Sequence, residues 1–150
     1  MTKLTPGTEI PKGDAMSIFY DTNIFVYTVS HAPDDAAKRA KASSLIAQGD
    51  FVLSIQVIQE FINTCLNKTR LGQNPEIIAA TARFLFGYPC AFPSEDSVLQ
   101  ALSLQQRFQI KYWDAAIVAA ALELGCHTIY SENLNDGQDY TGVRVINPFL

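Results

Sequence analysis

A chain of 150 residues with 48% hydrophobic content is long enough to bury a core and is read as one domain. Its formal net charge of -4 excludes broad, nonspecific attraction to polyanions, so any nucleic-acid partner must be met locally, through a metal or a basic rim. Cys65, Cys90 and Cys126 are odd in number with no Cys-x-x-Cys pair, and His31 and His127 have no ligand spacing, so a zinc, redox, His-rich metal or Ser-His-Asp site lacks support.

The cysteines are therefore expected to be reduced, buried apolar side chains. No early segment resembles a signal peptide and no run approaches a membrane span, which predicts a soluble, cytoplasmic protein. Residues 1–15 carry Pro6, Gly7, Pro11 and Gly13 ahead of a second methionine, Met16. They read as a flexible N-terminal extension or leader before a domain spanning 16–150.

Ile18, Phe19 and Tyr20 suit a buried strand, and Asp21-Thr22-Asn23 offers side chains that cap a helix over Ile24 to Val29. Asp21 then stands at a strand's carboxyl end, where open parallel sheets place their ligands. Pro33 breaks the chain, Asp34 is a good cap, and a helix is predicted from Asp35 to Gln48 with Lys38, Arg39 and Lys41 on its wetter side. Gly49-Asp50 ends it, and Phe51 to Ser54 reads as a second strand.

A helix follows from about Ile55 to Lys68, with Ile55, Val57, Ile58, Phe61, Ile62, Cys65 and Leu66 on one face. The opposite face holds Gln56, Gln59, Asn63, Thr64 and Asn67 with one carboxylate, Glu60, and looks more like a cleft wall than open surface. A plain helpful charge in the early helix is the other reading of Glu60. Pro75 opens a helix to about Phe86, with Ile77, Ile78, Ala80, Thr81, Phe84 and Leu85 inward. Cys90 to Phe92 is a third strand, and Ser94-Glu95-Asp96 caps a helix reaching Phe108, its Ser94-x-x-Ser97 capping box incomplete.

From Ala115 to Leu122 the chain is apolar on every side, so this helix is buried, and Gly125 fits its end. Asp114 stands at its amino end, either as an N-cap or as a cation ligand. His127 to Ser131 is a strand, Glu132 to Gly137 an acidic turn-rich loop, and Val143 to Ile146 a final strand. Strands alternating with helices imply an α/β fold: a three-layer sandwich with a parallel central sheet and helices on both faces.

That topology brings Asp21, Glu60, Asp114 and the Glu132 to Asp136 loop to one edge of the sheet. At an effective dielectric of about 20, like charges about 4 Å apart cost on the order of 4 kcal/mol, so such a cluster takes up protons or holds a cation. With oxygen ligands only, the fitting ion is Mg²⁺ or Mn²⁺, which points to phosphodiester or phosphoryl chemistry.

Together these residues resemble a PIN domain, the metal-dependent nuclease fold of VapC-type toxins in toxin-antitoxin pairs. Phe19-Tyr20-Asp21-Thr22-Asn23 is similar to the family's first acidic motif, Glu60 in Val57-Ile58-Gln59-Glu60-Phe61 to its second, and Asp114 in Tyr112-Trp113-Asp114-Ala115-Ala116-Ile117 to its third. Ser131 to Gln138, with Asn147-Pro148-Phe149, looks like the ending of one branch. The chain departs from the pattern at Asn133, where the fourth acid usually stands; Asp136 or Glu132 is the available substitute.

The resemblance implies endoribonuclease action in which Asp21, Glu60 and Asp114, assisted by Asp136, hold one or two Mg²⁺ or Mn²⁺ ions. Thr22, Asn23, Ser131 and Asn133 stand behind them, and Lys38, Arg39, Lys68, Arg70, Arg107 and Lys111 are candidate phosphate contacts. RNA is the implied substrate, a cognate antitoxin the implied partner, and a homodimer the implied assembly. Two alternatives remain: a phosphatase forming an aspartyl-phosphate on Asp21, disfavoured because Asn23 replaces its usual second Asp, and a catalytically silent PIN-like binding module.

Overall fold

The computed structural model describes residues 3–4, 17–68 and 74–150. Seven strands form one sheet in the order β1-β4-β3-β2-β5-β7-β6. They are β1 (Lys3–Leu4), β2 (Ile18–Tyr20), β3 (Phe51–Ser54), β4 (Cys90–Phe92), β5 (Thr128–Tyr130), β6 (Asp139–Tyr140) and β7 (Val143–Ile146). The helices are α1 (Thr22–Val29), α2 (Ala36–Gln48), α3 (Ile55–Asn67), α4 (Pro75–Leu85), α5 (Glu95–Phe108) and α6 (Tyr112–Glu123). The inner five strands pair in parallel, as the alternating pattern predicts, and β1 and β6 close the two edges antiparallel.

The chain runs outward from β2 through β3 to β4, then returns to β5 on the other side of β2. Because crossovers between parallel strands are right-handed, this reversal sends α1 to α4 to one face of the sheet and α5 with α6 to the other. The reversal also opens a crevice at the carboxyl ends of β2 and β5, the place where doubly wound sheets bind ligands. Asp21 and Ser131 each follow one of those two strands.

Aromatic packing fixes that part of the sheet. The Tyr20 ring stacks between Phe51 and Tyr130 with centroids 4.7 and 5.5 Å away, and its hydroxyl donates to the Leu45 carbonyl at 3.0 Å. The three cysteines are buried and joined by no disulfide, as expected. Among the described residues no helix is long and apolar enough to cross a membrane.

Several local expectations are corrected. Pro33–Asp35 forms a 3-10 turn, and the residue before α2 is Asp35, whose Oδ2 takes the Ser30 hydroxyl at 2.6 Å instead of capping the helix. The Ser94 capping box is complete: the Ser97 hydroxyl accepts the Ser94 N–H at 2.8 Å, doing what a Glu or Gln does in the commoner version. Leu66, Ile77, Ala80 and Phe84 face solvent, and Ala82 points inward in their place. Short β6, paired with β7 across Thr141-Gly142, was not foreseen. Arg70 and most of residues 1–15 lie outside the described residues.

Candidate active site

Asp21 is the cap residue of α1, and its carboxylate is 5% exposed. Oδ1 accepts the Thr22 N–H at 2.7 Å and Oδ2 accepts the Ser131 hydroxyl at 2.7 Å. The backbone pins it too, through the Asp21 N–H to the Tyr130 carbonyl at 3.0 Å. Both oxygens are used, one by an amide N–H and the other by a hydroxyl. Burial pushes its pKa up to about 6; the Ser131 and Thr22 hydrogen bonds pull the other way, and the charges of Glu60 and Asp114 add to the rise.

Ser131 is fully buried and connects this carboxylate to the next loop. Its Oγ donates to Asp21 and accepts the Asn133 and Leu134 N–H groups at 3.1 and 3.2 Å. One hydroxyl thus orients Asp21 and shapes the turn after β5.

Glu60 lies on the second turn of α3, which starts where β3 ends because Ser54 accepts the Val57 N–H at 3.4 Å and caps it. Both of its carboxylate oxygens are held. The Thr22 hydroxyl donates to Oε2 at 2.9 Å and the Gln56 amide to Oε1 at 2.8 Å. Gln56 also donates to the Trp113 carbonyl at 3.0 Å, tying α3 to the start of α6.

Asp114 is the third residue of α6, whose cap is Lys111 without a side-chain hydrogen bond. The N-cap reading of Asp114 is therefore replaced: its charge favours the helix amino end, but its carboxylate takes no hydrogen bond among the described residues. Burial raises its pKa, Lys111 lowers it, and Glu60 raises it again. Asp21, Glu60 and Asp114 thus act on one another through space, from three different elements.

Asp136 has a hydrogen bond of its own. It is exposed, and its Oδ1 accepts the Asn147 N–H at 2.8 Å. Glu132 is engaged elsewhere as well: Lys38 Nζ sits 2.5 Å from its Oε2, and the Tyr27 hydroxyl donates to its Oε1. Asn23 stays behind the site, its Oδ1 accepting the Glu132 N–H at 3.2 Å and its Nδ2 buried without a partner among the described residues. Asn133 shares with Thr22, Asn23, Glu60, Asn63 and Lys68 the walls of a polar cleft of about 240 Å³.

The candidate cations separate in the same way. Lys68 lines the cleft and Lys111 acts on Asp114, whereas Lys38 is paired with Glu132, Arg39 donates to the Ser30 carbonyl at 2.7 Å, and Arg107 lies over the Phe108 ring. Sequence reading placed Gln56 on a cleft wall but missed it as a support for the acid. Its position four residues before Glu60, one helical turn away, is the signal that would have found it.

The donor set is hard oxygen throughout, which suits Mg²⁺ or Mn²⁺. Among the described residues no three His, Cys, Asp or Glu side chains stand close enough together to ligate one ion as they are. Like charges held by separate partners repel one another, so the arrangement fits a site that tightens when a cation enters.

A PIN domain model matches residues 18–135, well over half of the chain. This protein belongs to the PIN domain family. Among solved structures, VapC20 from Mycobacterium tuberculosis, a toxin that cleaves the Sarcin-Ricin loop, is 24% identical with a TM-score of 0.62, covering 85% of this PIN domain chain and 99% of its own. A toxin-antitoxin complex from Klebsiella pneumoniae is 20% identical with a TM-score of 0.62, over 88% of this chain and 98% of the other. VapBC-1 from nontypeable Haemophilus influenzae is 19% identical at a TM-score of 0.62, over 90% and 100%. No curated protein matches in sequence. At these identities the likeness establishes the PIN fold, a mostly parallel sheet flanked by helices, and leaves the chemistry to the residues.

Proposed function

We propose that this PIN domain is a metal-dependent endoribonuclease and the toxin of a type II toxin-antitoxin pair, working in the cytoplasm. The observation that carries the reading is the mutual electrostatic influence of Asp21, Glu60 and Asp114, with Asp21 nearly shut from solvent and its pKa raised in part by the other two carboxylates. Their donor chemistry fits Mg²⁺ or Mn²⁺, which when bound lowers the pKa of a water and neutralises charge on the scissile phosphate. Thr22 and Gln56 hold Glu60, Ser131 orients Asp21, and Lys68, which lines the polar cleft, and Lys111, which acts on Asp114, are the proposed contacts to RNA phosphates. Structural neighbours crystallised as toxin-antitoxin complexes support an antitoxin as partner; a homodimer is proposed by family likeness alone. The domain is proposed to span 16–150, with 1–15 as an N-terminal extension whose Lys3–Leu4 pairs with β4 at the sheet's edge.

Asp136 remains in the proposal as the fourth acid, and Asp136→Asn tests its share. In the observed conformation one of its oxygens is occupied by the Asn147 N–H, so the substitution is expected to lower cleavage less than tenfold. A second reading, a silent binding module, is favoured by Asn133 and by the engagement of both Glu132 and Asp136 elsewhere. The deciding experiment is cleavage of structured and single-stranded RNA with Mn²⁺, with chelator, and with Asp21→Asn. Metal-dependent cutting that the substitution abolishes removes the silent module; no cutting of any RNA supports it.

A further inference from the structure

A second cavity, a groove of about 310 Å³, starts beside the acids and belongs to none of the roles above. One wall is a single face of α6: Tyr112, Ala116, Ala120 and Glu123 follow each other at helical spacing and all line it. At 1.5 Å per residue that face is about 16 Å long. The opposite wall includes Gln56, Phe92 and Pro93.

The near end is tied to the acids, because Gln56 reaches Glu60 with one hydrogen bond and the Trp113 carbonyl with another. Trp113 also lines the groove, is 65% exposed, and immediately precedes Asp114. An indole left this open is an exposed flat apolar face, held edge-on to Tyr112 with centroids 5.1 Å apart. At the far end, Glu123 Oε1 accepts the Ser94 hydroxyl at a long 3.4 Å, while its Oε2 is buried with no hydrogen-bond partner among the described residues. A buried carboxylate oxygen without a donor calls for one from outside.

An occupant must therefore be flat and apolar in body, carry N–H donors on its edge, and belong to something that reaches the acids. An unpaired nucleobase meets all three conditions; an apolar peptide side chain leaves the Glu123 oxygen unanswered. We propose that the groove seats unpaired bases of the RNA beside the scissile phosphate, with Trp113 as stacking platform and Glu123 as the acceptor that favours a base bearing an exocyclic amino group. Carboxylates accept from cytosine N4 in this way, and base stacking on aromatic side chains anchors single strands. The assignment rests on the RNA-cleaving reading and adds a substrate preference to it.

Trp113 is the only tryptophan of the chain, so its emission reports the groove without cleavage. Labelled oligo(A), oligo(C) and oligo(U) are titrated into the full chain in chelator, following RNA anisotropy and Trp113 emission together. Oligo(A) and oligo(C) are expected to quench Trp113 and to bind about tenfold tighter than oligo(U). Trp113→Ala is expected to weaken their binding by about 5- to 150-fold. Glu123→Gln, which keeps the shape but puts an amide at the reading position, brings the three RNAs within about threefold of one another. Binding with unchanged Trp113 emission, equal affinities in the unsubstituted protein, or no binding overturns the assignment. Quenching without Mn²⁺-dependent cleavage sinks the nuclease reading and leaves the groove; cleavage with unmoved emission does the reverse.

Discussion

Asp21 and Glu132 both lie where β2 and β5 end, and their surroundings treat them in opposite ways. Glu132 is answered by a lysine at 2.5 Å and a phenol, with a quarter of its side chain in solvent. Asp21 is buried, receives one hydroxyl and one amide N–H, and faces two further carboxylates. The first is an ordinary partly exposed ion pair, complete as it stands. The second stays electrostatically incomplete until a proton or a cation arrives, and that difference is what the proposed metal-ligand role of Asp21 rests on.

The sharpest way to break the comparison is Asp21→Asn. If the buried acid is a metal ligand, Mn²⁺-dependent RNA cleavage falls by more than about 100-fold, beyond the usual effect of removing a group behind a ligand. Residual cleavage within tenfold of the parent removes Asp21 from that role.

Next in size is Gln56→Ala, which frees one oxygen of Glu60 and the Trp113 carbonyl. Metal affinity, read by titrating Mn²⁺ against cleavage or by calorimetry, is expected to drop about 10- to 100-fold with secondary structure intact. An unchanged affinity means that Thr22 alone suffices to hold Glu60.

The charge imbalance also predicts a pH dependence. The pKa of Asp21 rises from 3.8 to about 6 on folding, so between those values the folded chain binds more protons than the unfolded one. Its contribution is fully present below about pH 4 and lost as pH rises through about 6, amounting to about 3 kcal/mol at 1.36 kcal/mol per unit. Asp114 shifts in the same direction. Urea unfolding in chelator at pH 4.5 and 7.5 checks the sign, and Mn²⁺ is expected to restore more stability at pH 7.5 than at pH 4.5. A metal effect equal at both pH values contradicts the assignment.

The smallest effect belongs to the completed pair. Lys38→Ala removes a cation whose side chain is 40% exposed, so the pair is worth about 0.2–1 kcal/mol and cleavage stays within about threefold of the parent. A large loss of activity in Lys38→Ala, with stability intact, moves Glu132 into the catalytic group.

Much of this was legible along the chain. The strand into Asp21, the cap at Ser94, and the all-apolar α6 each follow from local chemistry, so five parallel strands and six helices fall close to their expected ranges. Errors cluster where local preference is overruled. Asp34, read as the cap of α2, falls inside a 3-10 turn, and Asp35, which stands at the cap position, is taken by the Ser30 hydroxyl instead. Apolar Phe84 and Ile77 sit at helical spacing yet face outward, because spacing gives the width of a stripe and not which edge of it meets the core.

The sequence by itself determined the alternation of strands and helices, the place of Asp21 at a strand's carboxyl end, and the three acids at helix starts that lie on one edge of the sheet. Only the tertiary structure decided that Asp136 and Glu132 are engaged elsewhere while Gln56 and Thr22 grip Glu60. Hydrogen bonds and charge interactions depend on distances of a few ångströms in space, and residues 38, 57 and 110 positions apart along a chain carry no record of those distances.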